Sequence, residues 1–71
     1  MYIKANDYKP KEIYKFIRQS TNKKHKEFAE DIGKSEDWSK SNESGRNNYK
    51  FKDILELAKI NNIEIIIIKK D

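Results

Sequence analysis

The chain has 71 residues, which is enough for one small domain, and a hydrophobic core of that size is marginal. Charged residues make up 39% of the chain and hydrophobic residues 35%, but the apolar residues recur at regular spacings, which favours a folded domain over disorder. The absence of cysteine excludes disulfides and thiolate metal sites, and no apolar run is long enough for a secretion signal or a membrane span. We therefore expect one cytoplasmic domain over residues 1–71.

The charge is unevenly distributed, although the net charge of +4 points only mildly towards nucleic acid. Residues 1–26 carry eight Lys or Arg against two acids, and residues 46–71 carry six against four. Residues 27–45 carry two lysines against six acids, a net charge of −4. Basic segments therefore flank an acidic centre.

The first part of the chain predicts a short strand followed by a helix. Met1–Ala5 alternates in the two-residue period of a strand. Pro10 suits the first turn of a helix, because its missing N–H costs nothing there. That helix should end within residues 20–22. Its apolar stripe consists of Ile13, Phe16 and Ile17.

Two short helices are predicted next, on either side of a turn. The first has one apolar stripe, formed by Phe28, Ala29 and Ile32. Gly33 can take the left-handed conformation that ends a helix, and Ser35 can cap the helix that follows. This next helix should end at Gly45. A helix, a glycine turn and a second helix within residues 24–45 are typical of a DNA-binding helix-turn-helix.

A fourth helix and a second strand complete the predicted elements. Asn48 can cap the helix, and Asn61 and Asn62 can end it. Its apolar stripe consists of Phe51, Ile54, Leu55 and Ala58, and Leu57 broadens it. Ile63–Lys69 holds five isoleucines in seven residues, which is the strongest strand signal in the chain. We predict a mostly α fold of four helices with a small antiparallel sheet, formed by strands at the two ends of the chain.

The predicted last strand has apolar residues on both faces, which an exposed edge strand rarely has because it would template aggregation. Met1–Ala5 can pair with one of its edges. The other edge, or the face with Ile66 and Ile68, is then free for a second copy of the chain, giving a strand-mediated homodimer. The alternative is a two-stranded sheet within one chain, packed on the helices, although such a sheet is marginal by itself.

The spacing of four residues around the turn carries a family resemblance. Ala29 stands four residues before Gly33, and Glu43 and Gly45 follow that glycine by ten and twelve residues. In this spacing the chain resembles the Cro/repressor (Xre-type) helix-turn-helix family of phage and bacterial regulators, over about residues 13–63. The terminal strands resemble the Cro-like branch of that family, in which a C-terminal strand serves dimerisation.

The resemblance implies roles for several side chains. Arg18 and Glu43 would form an ion pair that joins the first helix to the end of the third, and breaking it would cost several kcal/mol. Phosphates of double-stranded DNA would be contacted by Lys24, His25, Lys34, Lys40, Arg46 and Asn47. Base edges would be read from the third helix by Ser35, Glu36, Asp37 and Ser41.

The third helix departs from the family pattern. Glu36 and Asp37 can accept from cytosine N4, but they repel the phosphates that supply most non-specific affinity. The usual aliphatic anchor falls at Ser39, with Trp38 one place earlier. Trp38 either fills the core or is exposed as an interface hot spot. Asn42 also stands where apolar residues are common.

No pattern predicts catalysis, a metal site or a cofactor. His25 is the only histidine and has no cysteine with which to share a metal. The serines of the third helix have no base and no orienting group beside them in the sequence, so no nucleophile is implied.

Two hypotheses for function follow. The first is a DNA-binding transcriptional regulator, a homodimer that places residues 35–44 in the major groove of operator DNA. The second is a helix-turn-helix scaffold used as a protein-interaction module, such as a small phage-type inhibitor. In that case the acidic residues 35–44, with Trp38, would dock on a basic protein partner.

Overall fold

Four α-helices follow a short 3-10 helix at Ala5–Asp7 in the computed structural model, which describes residues 2–71. The α-helices are α1 (Pro10–Thr21), α2 (His25–Glu30), α3 (Glu36–Ser44) and α4 (Phe51–Ile60). All four helices that the sequence predicts are therefore present. The predicted cap of α4 is wrong by two residues, because Lys50 and not Asn48 precedes its first turn.

The starts of the helices share one device, a side-chain oxygen that accepts an N–H group left free at the helix end. In α1 the backbone N–H of Lys9 donates to Glu12 Oε1 at 2.8 Å. Glu27 in α2 and Asp53 in α4 accept in the same way. In α3 the hydroxyl of Ser35 accepts an N–H of the first turn at 3.1 Å. Local sequence therefore sets where each helix begins.

Left-handed residues close the turns between the helices. Gly33 (φ +70°) lies between α2 and α3, and Gly45 (φ +88°) ends α3. Asn22 (φ +60°) ends α1, and Asn62 (φ +58°) follows α4. Gly and Asn tolerate this conformation better than other residues, which is why these four positions determine the path of the chain.

The hydrophobic core is built by α1, α2 and α4, through buried Tyr14, Ile17, Phe28, Ile54 and Leu57. The ring of Tyr14 meets that of Phe28 edge to face, with centroids 5.5 Å apart. All three buried residues of α3 are polar: Ser39, Ser41 and Asn42. Hydrophobic burial therefore anchors α3 only through the partly buried Trp38.

The predicted apolar stripe of α4 is partly wrong. Phe51 is 60% exposed and Leu55 is 44% exposed. The other three members of the predicted stripe, Ile54, Leu57 and Ala58, are buried and form the i, i+3, i+4 face of α4. α4 had two overlapping apolar stripes, and packing against α1 and α2 selected the one that Phe51 does not share.

The predicted sheet is also wrong, because no strand is present in residues 2–71. Residues 2–4 form no strand and lead into the 3-10 helix; Met1 of the predicted first strand lies outside the described residues. Ile63 packs against the core, but Ile66, Ile67 and Ile68 are 71–87% exposed. β-branched residues favour an extended backbone, and a strand also requires a neighbouring strand to bond to, which this chain does not provide.

Gly33 offers a test of the turn between α2 and α3. A Cβ added there meets no atom within 4 Å, so Gly33→Ala changes only the backbone preference. We expect this variant to lower the free energy of unfolding in urea by about 1 kcal/mol, and Gly33→Asn to lower it less. Equal losses for Ala and Asn would contradict a left-handed turn at this position.

Candidate nucleic-acid interface

An ion pair between Arg18 of α1 and Glu43 of α3 holds α3 in place. The guanidinium donates to both oxygens of the carboxylate, from Nε at 2.9 Å and from a terminal nitrogen at 3.1 Å. The other terminal nitrogen of Arg18 donates to the carbonyl of Lys23, just before α2, at 3.0 Å. The structure thus brings together the two residues for which the family resemblance implied a pair, and it extends their contact to a third segment.

A second polar contact between helices runs through Ser39, of which no part is exposed. The hydroxyl of Tyr14 donates to Ser39 Oγ at 2.7 Å, and Ser39 Oγ lies 2.8 Å from His25 Nδ1. The direction of this second hydrogen bond depends on the tautomer of His25, because Ser39 can donate to a free Nδ1 or accept from a protonated one; the other ring nitrogen is Nε2. That nitrogen is 3.5 Å from Glu43 Oε2. Tyr14, Ser39, His25, Glu43 and Arg18 form one connected set, the polar network.

The polar network changes the pKa values of two of its members. Burial lowers the pKa of His25 below its usual value, the positive charge of Arg18 lowers it further, and Glu43 acts against both. Burial likewise raises the pKa of the Tyr14 hydroxyl. Both shifts favour the neutral side chains that the hydrogen bonds through Ser39 require.

Ser39, His25 and Glu43 contradict the expectation that no base stands beside a serine of α3. The serine, a histidine and a carboxylate follow one another as in a nucleophilic triad. Ser39 is completely buried, however, and Tyr14 occupies the other side of its oxygen, so no substrate carbonyl can reach it. The arrangement fixes the position of α3 relative to α1 and α2.

Trp38 is partly buried against the core, so it lies between the two alternatives that the sequence left open. Its ring meets Tyr14 edge to face at a centroid distance of 5.9 Å. The ammonium group of Lys34 lies 5.9 Å from the centroid of the indole, within the range of a cation–π contact. Trp38 therefore anchors the start of α3 and keeps one side towards solvent.

The exposed residues of α3 are Glu36, Asp37, Lys40 and, at its end, Ser44. Glu36 pairs with Lys40 at 3.6 Å, and Asp37 pairs with Arg46 at 3.4 Å. Ser41, predicted to read bases, is instead buried and accepts a hydrogen bond from Arg46 at 2.7 Å. In this part of α3, Lys40 therefore faces solvent, whereas Ser41, which was predicted to do so, does not.

The residues that were predicted to contact phosphates differ in whether they face solvent. Lys24, Lys34, Arg46 and Asn47 are exposed around the ends of α2 and α3. His25 instead turns inward, with its ring nitrogens directed at Ser39 and Glu43. Ser35 is exposed, but its hydroxyl is engaged as the cap of α3.

Tyr14, Ser39 and Asn42 have roles that sequence reasoning missed. Only the departure at Ser39 pointed to a polar helix junction, since an aliphatic anchor was expected there. Asn42 is 1% exposed and makes no well-formed hydrogen bond within the described chain, although its amide lies near enough to the Tyr14 hydroxyl to act against the burial that raises the pKa of Tyr14. A buried amide without partners carries a desolvation cost of about 1–3 kcal/mol.

Two kinds of feature are missing from residues 2–71. No group of three or more His, Cys, Asp or Glu side chains could hold a metal ion. No helix of this part of the chain has both the length and the apolar character to cross a membrane.

In the comparisons with known proteins, no family model, no curated protein and no solved structure matches the chain.

The unpaired amide of Asn42 predicts a stabilising substitution. Leucine has a similar size and no polar atoms, so Asn42→Leu should raise the free energy of unfolding by about 1–2 kcal/mol. Asn47→Leu, at an exposed position, is the matched control and should change it by less than about 0.5 kcal/mol. A loss of stability in Asn42→Leu would show that the amide is bonded after all, for example to a buried water.

The lowered pKa of His25 predicts a pH dependence of stability. The unfolded chain takes up a proton near pH 6.5, about the ordinary histidine pKa, whereas the folded chain resists protonation until a lower pH. The free energy of unfolding should therefore fall as the pH decreases through that window. Denaturation in urea between about pH 7.5 and 5.5, above the range of ordinary carboxylates, measures this effect.

His25→Asn is the matching variant for the pH experiment, because the chain has no other histidine. Its stability should be lower than that of the parent at pH 7.5, owing to the lost contact with Ser39, but it should vary little over the same pH window. An equally steep decline in the variant would assign the pH dependence to other groups.

Proposed function

We propose that this protein is a DNA-binding regulator of the helix-turn-helix class, acting in the cytoplasm. One observation supports this best: α3 is fixed to α1 and α2 on one side and presents Glu36, Asp37 and Lys40 on the other. A rigid, exposed helix after a short turn has the shape that enters a major groove. Lys24 and Arg46 lie on segments next to it, where phosphates would be met.

The acidic residues of α3 fit this function if they accept hydrogen bonds from bases. The carboxylates of Glu36 and Asp37 suit exocyclic amino groups, above all cytosine N4. Their pairs with Lys40 and Arg46 are exposed, and exposed ion pairs contribute only about 0–1 kcal/mol. Phosphates can therefore compete for the two cations, which would release the carboxylates towards the bases.

A homodimer belongs to the same proposal. Ile66, Ile67 and Ile68 are apolar side chains in contact with solvent, and a second copy of the chain would cover them. A symmetric dimer would place two α3 helices on one side of a duplex, so the operator would be a palindrome. Measurement of the mass in solution tests this part of the proposal separately.

Arg46 provides the test of DNA binding. Selection from a library of double-stranded DNA, followed by affinity measurements at several salt concentrations, should show binding that weakens steeply with salt. Arg46→Ala should weaken binding to every duplex and reduce the slope of log affinity against log salt by about 1. Lys59→Ala, an exposed lysine of α4, is the control and should leave the slope unchanged. The absence of salt-sensitive binding by the parent chain would refute the proposal.

A protein-interaction module is the second candidate, and the position of Trp38 favours it. The indole is partly exposed beside the carboxylates of α3, as an anchor for a basic protein surface would be. Asp37→Lys separates the two candidates, because the Asp37 side chain is 83% exposed and its reversal leaves the core untouched. The substitution should increase non-specific affinity for DNA, whereas it should abolish binding to a basic protein partner.

A further inference from the structure

A solvent-open cleft lies between the start of α1 and the loop after α3, outside the face of α3 described above. The two segments are joined there by a hydrogen bond of 2.7 Å from the Tyr49 hydroxyl to the carbonyl of Pro10. The cleft is lined by Lys9, Pro10, Lys11, Ser44, Gly45 and Asn48.

The cleft is positively charged. Both lysines contribute to its wall, and no carboxylate does. Neither lysine takes part in an ion pair within residues 2–71. The carboxylate of Glu12 is close by, because it accepts a hydrogen bond from the backbone N–H of Lys9 at 2.8 Å, but Glu12 does not line the cleft.

Lys11 is held against this cleft by close packing. A Cβ added at Gly45 would lie 3.1 Å from Lys11 Cδ, so the aliphatic part of the lysine runs directly over the glycine. Gly45 therefore serves two purposes, since its left-handed conformation ends α3 and its missing side chain leaves room for the lysine.

The neutral lining residues add a hydrogen-bond donor. The amide of Asn48 makes no hydrogen bond within the described chain, so its N–H groups are available. The hydroxyl of Ser44 is less available, because it donates to the carbonyl of Ser41 at 3.1 Å. Two lysines and one free amide line a cleft that has no carboxylate in its wall, a combination that suits a tetrahedral oxyanion.

We propose that this cleft binds a phosphate group, and that in the DNA complex it holds a backbone phosphate next to the one met by Arg46. The loop that carries Arg46 and Asn47 also carries Gly45 and Asn48, so the contacts would follow one strand of the duplex. The source of the phosphate rests on the proposed DNA binding, whereas binding of the anion itself does not.

The test uses Lys9→Gln/Lys11→Gln, with Lys15→Gln as control. All three lysines are exposed, and Lys15 lies on α1 but outside the cleft. Titration with inorganic phosphate, against sodium chloride of equal ionic strength, should shift the NMR amide signals of Gly45 and Asn48 in the parent chain. The double variant should lose these shifts. It should also reduce the slope of log affinity for duplex DNA against log salt by about 1, and Lys15→Gln should not.

The outcomes separate the two proposals. If phosphate shifts the cleft signals but the parent chain does not bind duplex DNA, the anion site stands and the proposed function fails. If the parent chain binds DNA but phosphate has no effect beyond chloride and the double variant keeps the parent slope, the cleft proposal is overturned and the proposed function stands. Equal losses of the amide shifts and of the salt slope in the double variant and in Lys15→Gln would show that the effect depends only on net charge. That result would also overturn the cleft proposal.

Discussion

The bidentate pair between Arg18 and Glu43 is the interaction on which the position of α3 depends. α3 buries only polar residues, so the hydrophobic effect that joins α1, α2 and α4 does little for it. The pair, together with the chain of hydrogen bonds through Ser39, replaces apolar packing by directional contacts. Such contacts are satisfied in one geometry only, because a small rotation of α3 would leave buried charges and hydroxyls without partners.

Because polar contacts hold α3 in position, its two sides have different roles. One side of α3 is committed to the polar network and the other faces solvent, so the acidic residues of the outer face take no part in joining α3 to the other helices. Glu36 and Asp37 are also not left to repel an anionic ligand, since each has a cation within reach. The outer face is thus a set of paired charges that can exchange partners, and not a uniformly acidic surface.

The sequence predicted those parts of the fold that local chemistry determines. The starts of α1 and α3, the glycine turn at Gly33 and the end of α3 at Gly45 depend on residues with marked local preferences, which are visible along the chain. The prediction of a sheet was wrong because five isoleucines favour an extended backbone but do not provide a second strand with which to pair. The stripe of α4 was partly wrong because two apolar stripes overlapped and only tertiary packing chose between them.

The candidate site could be predicted less well than the fold, for a physical reason. The exposure of charged residues such as Lys24 and Arg46 can be read from the sequence. His25 and Ser41 were expected to face a ligand, yet His25 contacts the buried Ser39, and Ser41 is itself buried and accepts a hydrogen bond from Arg46. Lys9 and Lys11 are distant in sequence from the loop after α3, so their place beside Gly45 emerged only from the packing of α1.

The brevity of α2 has a consequence for how the whole domain responds to a ligand. A helix of six residues is too short to persist by itself, and α2 remains helical because Phe28 and Ala29 are buried against the other helices. α2 and α3 therefore open together with the core as one cooperative unit, not as separate segments. A ligand on the outer face of α3 must then slow amide hydrogen exchange throughout the core and raise the melting temperature of the entire domain, by mass action alone.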